Sequence, residues 1–228
     1  MKKYGSWLFL TLLVALGVAT AQNVPARTDL YHIHFTTAAP GKAAQLGEYL
    51  KTSSTAGHSL VLRHQDGSEW DYVVIEHLGP KTTLEAAGNP PPASARDLSV
   101  WHGDTFVNGP AWADFVQAMG LGENASKTGG SVYTVSVYRA LPGHREPLEK
   151  MLSAAPGSGD TVAGTALMAH VEGAPWTFLS ISRYNSWEDF AKSEIQSVAQ
   201  TAKGSGGWHE LREHVSFHTD ALTDRVAP

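Results

Sequence analysis

The sequence predicts an α+β protein with two similar halves, each with the element order β-α-β-β-α-β. Three observations lead to this prediction. Several stretches of the first half recur in the same order in the second, alternating apolar and polar residues mark the strands, and an acidic residue before Gly67 and before Gly173 marks a tight hairpin turn in each half. We therefore expect two repeats, at 28–122 and 130–226, with a linker at 123–129.

The internal repeat is visible in three blocks of sequence. The stretch LYHIHFTTAAPG, which begins at Leu30, resembles VYTVSVYRALPG, which begins at Val132. A second block covers the predicted hairpin, and a third covers the last strand of each half. The matched pairs include Tyr31 with Tyr133, His64 with His170, Trp70 with Trp176, His102 with His218 and Asp104 with Asp220. Three blocks in the same order indicate a duplication.

The elements of the first half follow from local patterns. Alternation predicts a strand at 30–36, which Pro-Gly ends, and apolar residues at helical spacing predict a helix at 41–52. Two hairpin strands follow at 59–65 and 70–77, and a last strand at 98–106. The stretch GNPPPASA lies between the strands at 70–77 and 98–106. Because proline interrupts a helix, it predicts that the second helix of this half is short or broken.

The second half repeats this order. We expect a strand at 132–138, a helix at 143–154, hairpin strands at 165–171 and 176–183, and a last strand at 213–219. Its second helix is the clearest in the chain. Ser186 is a good N-cap, and acidic residues in the first turn complement the helix dipole.

The order β-α-β-β-α-β is that of the ferredoxin-like unit. On element order and duplication, the chain resembles the dimeric α/β-barrel superfamily, which includes the ABM-type monooxygenases and the EthD-like and NIPSNAP-like proteins, here as a tandem fusion. This resemblance implies two units packed sheet to sheet into an eight-stranded barrel. It also implies chemistry inside the barrel, since relatives act as cofactor-free oxygenases, isomerases or haem enzymes.

Composition excludes several classes of function. The formal charge of −5 and the pI near 6.1 give no basic surface for nucleic acid. The chain has no cysteine, which excludes disulfides, a thiolate nucleophile and an iron–sulfur cluster. Eleven histidines against seventeen lysines and arginines is a high share, and histidine is the commonest metal ligand. We expect a monomer or a homodimer.

The first residues read as an export signal. Lys2 and Lys3 precede an apolar run at 7–18, and an Ala-x-Ala cleavage site ends at Ala21. We therefore expect a signal peptide at 1–21 and a periplasmic or secreted protein, with an uncleaved membrane anchor as the alternative. No later run is long enough to span a bilayer.

Comparison of the halves predicts which residues face the interior. Tyr31, Ile33 and Phe35 have apolar counterparts in the second half, so we expect them under the helices. His32 and His34 alternate with them and should face the barrel interior. By the same logic Trp101 should pack under a helix. Trp70 and Trp176 are expected to be packing residues, and His77 and Arg183 to be surface residues at strand ends.

The interior histidines define the candidate site. In the ferredoxin-like strand order, Glu76 and His102 lie on the strands that flank His32 and His34. Three histidines and a carboxylate match the ligand number of a first-row metal site, and the resemblance implies that these residues are the acid/base or ligand set. Tyr72 and His64 are expected to line a ligand pocket. The second half keeps only His218 at the matching places, so the site should lie in the first half.

Three interpretations of these residues stay open: polar lining with a structural role, a pocket for an organic ligand, and a metal or haem site. The corresponding function is an exported small-molecule-binding α+β barrel that acts as an oxygenase-like or isomerase-like enzyme in its interior. The alternative is a non-catalytic periplasmic binding or structural module.

Overall fold

The computed structural model describes residues 26–54, 58–81, 95, 97–157, 159–204 and 207–227. Eight strands form one antiparallel sheet. Their bounds are β1 Asp29–Ala38, β2 Ser59–Asp66, β3 Tyr72–Pro80, β4 Ser99–Gly109, β5 Val132–Ala140, β6 Val162–Glu172, β7 Phe178–Tyr184 and β8 Val215–Ala227. Each predicted strand is present, and most extend a few residues beyond the predicted ends.

Five α-helices accompany the sheet within the described ranges. They are α1 Ala43–Ser54, α2 Trp112–Met119, α3 Arg145–Leu152, α4 Trp187–Ala202 and α5 Gly207–His214, and a short 3-10 helix covers Gly122–Asn124. Helix α4 begins as its sequence predicts, because the Ser186 hydroxyl accepts a hydrogen bond from the backbone N–H of Asp189.

The eight strands close into a ring in the order β1-β3-β2-β8-β5-β7-β6-β4. The first four strands pair as β4-β1-β3-β2, and the last four as β8-β5-β7-β6. The two groups join at β2–β8 and at β4–β6. The ring therefore consists of one continuous hydrogen-bonded sheet and not of two separate sheets stacked face to face.

The interior of the ring is a packed apolar core. Tyr31, Ile33 and Ile75 form one buried cluster with Tyr133 and Ile181, although β1 and β3 lie across the ring from β5 and β7. Side chains on opposite sides of a ring meet only through its interior. An eight-stranded ring is just wide enough for side chains to fill it, so the apolar set lies inside and not under the helices as predicted.

The histidines of β1 consequently lie on the outer face, contrary to the prediction. His34 pairs directly with Val74, and Val74 packs against the cluster that Leu46 and Leu50 of α1 form on the outside of the sheet. His32 is opposite Glu76 on the same face. The sequence predicts the reverse assignment because both faces carry apolar residues, so that the more polar set resembles the lining of a cavity.

Helix α2 was not predicted, and it closes one end of the ring. Phe115 and Met119 are fully buried in the interior cluster, and the ring of Phe115 packs 5.4 Å from that of Tyr31. Gly120 ends the helix in the left-handed conformation. The last predicted strand also starts later than expected, because 207–214 is helical and β8 begins at Val215.

Two predictions fall on parts of the chain that the structure does not describe. The signal peptide at 1–21 lies outside the described residues, as does most of the proline-rich stretch at 88–95. Within the described ranges, none of the helices combines the length and the apolar character that a membrane crossing requires.

Candidate functional site

Strands β1 and β4 place four polar side chains side by side on the outer face of the sheet. The two strands are antiparallel neighbours, with His34 directly opposite Asp104 and Thr36 opposite His102. Since side chains two residues apart share a face, His32 and His34 of β1 meet His102 and Asp104 of β4. With Glu76 of β3, these residues form what we call the histidine cluster.

The carboxylate of Asp104 is the centre of the histidine cluster. Its Oδ1 lies 2.8 Å from Nε2 of His32 and 2.7 Å from Nδ1 of His34. Its Oδ2 lies 2.7 Å from Nδ1 of His102. The three imidazoles donate to the carboxylate, which in its ionised form only accepts. One carboxylate thereby fixes the positions of three rings.

Ring stacking fixes the orientation of the same imidazoles. The rings of His34 and His102 lie 5.5 Å apart and 29° from parallel. The ring of His32 lies 5.2 Å from that of Phe106 at the same angle. Each ring is thus held both at one nitrogen and on one face, which leaves little freedom for the nitrogens to turn away from Asp104.

His32 also lies close to a second carboxylate. Its Nδ1 is 3.5 Å from Oε2 of Glu76, while its Nε2 bonds Asp104. Burial alone would lower the pKa of His32, but its contacts with Glu76 and Asp104 raise that pKa above the ordinary value. His32 is therefore more inclined to carry a proton than an imidazole free in water.

The carboxylates show the opposite shift. Burial alone would raise the pKa of Asp104, but hydrogen bonds from His34, His102 and His32 lower it. The hydrogen bond from His32 lowers the pKa of Glu76 against the effect of burial. Both carboxylates are consequently ionised over the whole neutral range, and the cluster offers negative charge beside its imidazoles.

The cluster is open to a ligand from outside. The side chains of His32 and His34 are 24% and 28% exposed, and that of His102 is 61% exposed. Among these three imidazoles, exposure is therefore greatest at His102, near the start of β4. A small molecule or ion can reach the nitrogens, while the inner rings are held on the sheet.

Three members of the cluster are arranged to hold a metal ion. One ligand atom from each of His32, His34 and Asp104 lies within 4.8 Å of the other two. Imidazole nitrogen and carboxylate oxygen are common ligands of first-row metal ions. His102 and Glu76, predicted as ligands, contact the same group of atoms from the rim.

Asp104 is the functional residue that the candidate set omitted. The prediction placed Glu76 as the carboxylate, whereas Asp104 is the one that bonds three imidazoles. The sequence contained a signal for it: His102 and Asp104 alternate on one strand, and both match residues of the second half.

Tyr72 and His64 lie away from the cluster. The hydroxyl of Tyr72 donates to the carbonyl of Ala43 beneath α1, at 2.9 Å. The Nε2 of His64 accepts the backbone N–H of Ser68 at 3.0 Å and thereby fixes the hairpin turn between β2 and β3. His170 does the same with Ala174 in the turn between β6 and β7. The contacts of both predicted ligand-binding residues are those of structural residues.

The matching place on β5 and β8 carries a smaller polar set. Ser136 is opposite Asp220, as His34 is opposite Asp104. Of the three imidazoles only that of His102 has a counterpart there, which is His218, with its Nε2 at 3.4 Å from Oδ2 of Asp220. This place on β5 and β8 therefore provides one imidazole where β1 and β4 provide three.

His77 and Arg183, expected at the surface, are largely buried. The Nε2 of His77 contacts Oδ2 of Asp29 at 2.7 Å, and the same carboxylate oxygen accepts the backbone N–H of Trp112 at the start of α2. Arg183 donates from Nε to the carbonyl of Ala118 at 2.9 Å. Both residues hold α2 over this end of the ring. Because α2 covers them, His77 and Arg183 are buried although they lie near the ends of their strands.

Comparison with known proteins supports the fold and not a family. No protein-family model matches the chain, and no curated protein is similar to it in sequence. An anthrone oxidase-like protein of known structure has a TM-score of 0.57 at 14% identity, over 88% of this chain and 92% of its own. A candidate monooxygenase from Fusobacterium nucleatum subsp. nucleatum has a TM-score of 0.51 at 6% identity, over 87% and 93%. These likenesses support a ferredoxin-like α+β fold.

Proposed function

We propose that the protein binds a first-row divalent metal ion at the histidine cluster and acts there as an oxygenase-like enzyme on a small organic molecule. The observation that carries this proposal is the convergence of three imidazoles on the carboxylate of Asp104. Such a set is costly to assemble for structure alone, because ordering several polar side chains at a half-exposed surface contributes little stability.

The oxygenase-like character rests on the fold likeness. The two similar structures bear the names anthrone oxidase-like protein and candidate monooxygenase. A shared fold does not transfer a reaction by itself, so the site has to supply the chemistry. Imidazoles and carboxylates can accept a proton from a phenol or an enol near neutral pH, and a bound metal ion would supply Lewis acidity there.

Metal binding is tested on the protein stripped with a chelator. Titration with Zn²⁺ by calorimetry, and with Co²⁺ by its visible absorption, should give one site per chain. His34→Ala should weaken binding about 100-fold or more, since it removes one of the ligands. His209→Gln is the matched control, because His209 is exposed and far from the cluster in sequence and contacts. Equal affinity in both variants would remove the metal assignment.

Catalysis is tested by oxygen consumption with a panel of phenols and β-dicarbonyl compounds. The metal-loaded protein should consume oxygen, and His34→Ala should abolish the activity. Activity that survives full removal of metal would favour a second candidate function, metal-free acid–base catalysis, in which His32, whose pKa two carboxylates raise, would donate the proton. If no compound is turned over while the metal still binds, a non-catalytic binding module is the correct description.

We further propose that the chain is an exported tandem duplication that forms an eight-stranded barrel. The proposed repeats are 28–122 and 130–226, and 1–21 would be a signal peptide. The same pairing order in the two groups of strands and the same His64 and His170 contacts support the duplication. Mass spectrometry of the protein from a periplasmic extract should give an N-terminus at Gln22. Absence of the protein from that extract would contradict export, and a chain that starts at Met1 would contradict cleavage after Ala21.

A further inference from the structure

A cavity lies inside the ring, at the end opposite to α2. It has a volume of about 180 Å³. The cavity is bounded by inward-facing strand residues and by the two hairpin turns; the lining residues are Phe35, Ser68, Trp70, Trp101, Val135, Val137, Trp176, Phe217, Thr219 and Ala221. It is distinct from the histidine cluster, which lies on the outer face of the same sheet.

The inner walls of this cavity are rigid. Trp70 and Trp176 are each only 9% exposed and belong to the interior core. Phe35 packs on Trp70 at 5.3 Å between ring centroids. The imidazoles of His64 and His170 lie 5.5 Å and 5.3 Å from the indoles that follow them, and each holds its own turn. The indoles are therefore fixed before any ligand arrives.

Two aromatic residues form the opening. Trp101 and Phe217 are 52% and 43% exposed, which is unusual for such large apolar side chains. The indole of Trp101 lies along β4 against Gly103, where a side chain would press on its Cη2 and Cζ2 atoms. The absence of a side chain at Gly103 therefore leaves room for the indole in this position.

The chemistry of the lining selects an uncharged aromatic molecule. Among the lining residues, none is charged, and only Ser68 and Thr219 have hydroxyl groups. Aromatic rings pack favourably against one another in edge-to-face and offset arrangements. An apolar protein cavity of about 150 Å³ is large enough to bind benzene, so this cavity matches one ring and has hydroxyls for one polar substituent.

We propose that this cavity is a binding site for an uncharged single-ring aromatic molecule of the phenol class. The ring lies between Trp70, Trp176 and Trp101, and its hydroxyl bonds Ser68 or Thr219. The site does not depend on the proposed metal. Because Trp101 and His102 are adjacent on β4, a molecule in the cavity lies directly behind the histidine cluster.

The test is a titration of the full mature chain with phenol, followed by the indole N–H signals in ¹H–¹⁵N NMR spectra. The signals of Trp70, Trp101 and Trp176 should shift saturably, while Trp187 and Trp208, exposed on α4 and α5, serve as internal references. Benzoate should bind at least 10-fold more weakly than phenol. A linear drift of all indoles alike, without saturation, would overturn the proposal.

A cavity-filling variant gives the second arm of the test. Val137 of β5 corresponds in sequence to Phe35 of β1, and both line the cavity. Val137→Phe therefore adds a second phenyl ring to the cavity, and the affinity for phenol should fall at least 10-fold. Val171→Phe is the matched control, since Val171 is exposed on β6 and outside the lining. If Val137→Phe does not fold, Thr219→Val, which keeps the shape and removes a hydroxyl, should weaken phenol relative to toluene.

Two further outcomes distinguish phenol binding in the cavity from metal binding at the histidine cluster and from self-association of the chain. In His34→Ala, which removes a proposed metal ligand, phenol should still shift the Trp70 and Trp176 indole signals saturably and over the same concentration range. The cavity can therefore be tested even if the proposed function fails. A second copy of the chain could instead cover Trp101 and Phe217. Sedimentation would then show a dimer at the concentrations used for NMR, phenol would not dissociate it, and the indole signals of Trp70, Trp101 and Trp176 would not respond to phenol. That result would also overturn the proposal.

Discussion

At the scale of single residues, Asp104 is the side chain that joins the three imidazoles of the histidine cluster. Its two oxygens bond three imidazoles at 2.7–2.8 Å, and these rings bring β1 and β4 side chains to one point. The hydrogen bonds are charge-assisted, since the carboxylate is ionised and His32 is inclined to hold a proton. A neutral side chain of the same shape at position 104 would show how much of the cluster's geometry and affinity depends on the negative charge and how much on packing.

Asp104→Asn should reduce Zn²⁺ affinity by about 10- to 100-fold and bring the pKa of His32 down towards its ordinary value. The amide keeps the shape but cannot accept from three donors or hold a negative charge. Calorimetry and an NMR titration of the His32 ring measure the two effects. Asp220→Asn alters the matching position of β8 and should leave both unchanged; a loss of affinity in that variant as well would point to a general effect on the sheet.

The charge of the cluster also predicts how pH affects the metal-free protein. The pKa of His32 is raised above its ordinary 6.5, so its stabilising contribution is complete below that pH and is lost as pH rises through the folded-state pKa. The pKa of Glu76 is lowered from 4.5, so its contribution is present above that pH and is lost on acidification. The pair stabilises most between these two values.

His32→Gln should therefore lower the Tm of the metal-free protein at pH 5.5 and have a smaller effect at pH 8.5. The change in unfolding free energy should stay below about 1 kcal/mol, because Glu76 is half exposed. Thermal unfolding from pH 4 to 9, with His209→Gln beside it, measures the difference. A pH-independent difference between His32→Gln and the wild type would show that ring packing, and not charge, is the cause.

Part of this site could be predicted from sequence. The alternation of His32 and His34, and the antiparallel neighbours of β1, correctly grouped them with Glu76 and His102. Which face they occupy could not be derived, because Ile33 and Val74 are both apolar and lie on opposite faces. That choice depends on how tightly an eight-stranded ring fills, which is a property of the whole sheet.

At the scale of elements, the two hairpin turns connect the halves of the ring. Gly67 and Gly173 both have a φ of +99°, a conformation that favours glycine. A side chain at Gly67 would meet the backbone of Asp220 on β8, and one at Gly173 would meet that of Asp104 on β4. The hairpin turn of each group of four strands therefore packs against a strand of the other group.

This arrangement provides a matched pair of substitutions. Gly173→Ala and Gly67→Ala impose the same backbone strain, and each should destabilise the protein by about 1–3 kcal/mol. Only Gly173→Ala presses on the backbone at Asp104, so only it should weaken Zn²⁺ binding, by about 10-fold. Denaturant unfolding and calorimetry on both variants measure this. Equal affinities would mean that the position of Asp104 does not depend on the β6–β7 turn.

The elements also differ in how well their sequences predict them. Strands and hairpins were found because alternation and the turn glycines are local signals. Helix α2 was not found, since WADFVQAM is only two turns long and is stabilised by burial of Phe115 and Met119 in the ring. Short helices owe their stability to tertiary packing and not to propensity, so their sequences contain little evidence of them.

At the scale of the whole molecule, neither group of four strands has a complete core of its own. The interior cluster mixes Ile33 and Ile75 of the first group with Val135 and Ile181 of the second. The seams β2–β8 and β4–β6 close the ring, and without them each group would have two unpaired strand edges. Residues 29–109 and 132–227 should therefore unfold together, even though they follow one another in the chain.

Ile75→Ala and Ile181→Ala test this cooperativity. Both side chains are fully buried at matching places on β3 and β7, and each truncation should cost about 2–5 kcal/mol through lost burial and the cavity that remains. Because the core is shared, each variant should shift one single transition seen equally by circular dichroism and by indole fluorescence. The double variant should show a coupling energy if the two sites share a cavity. Two separate transitions, each sensitive to only one substitution, would mean that the halves fold independently and that the seams contribute little to the stability of the ring.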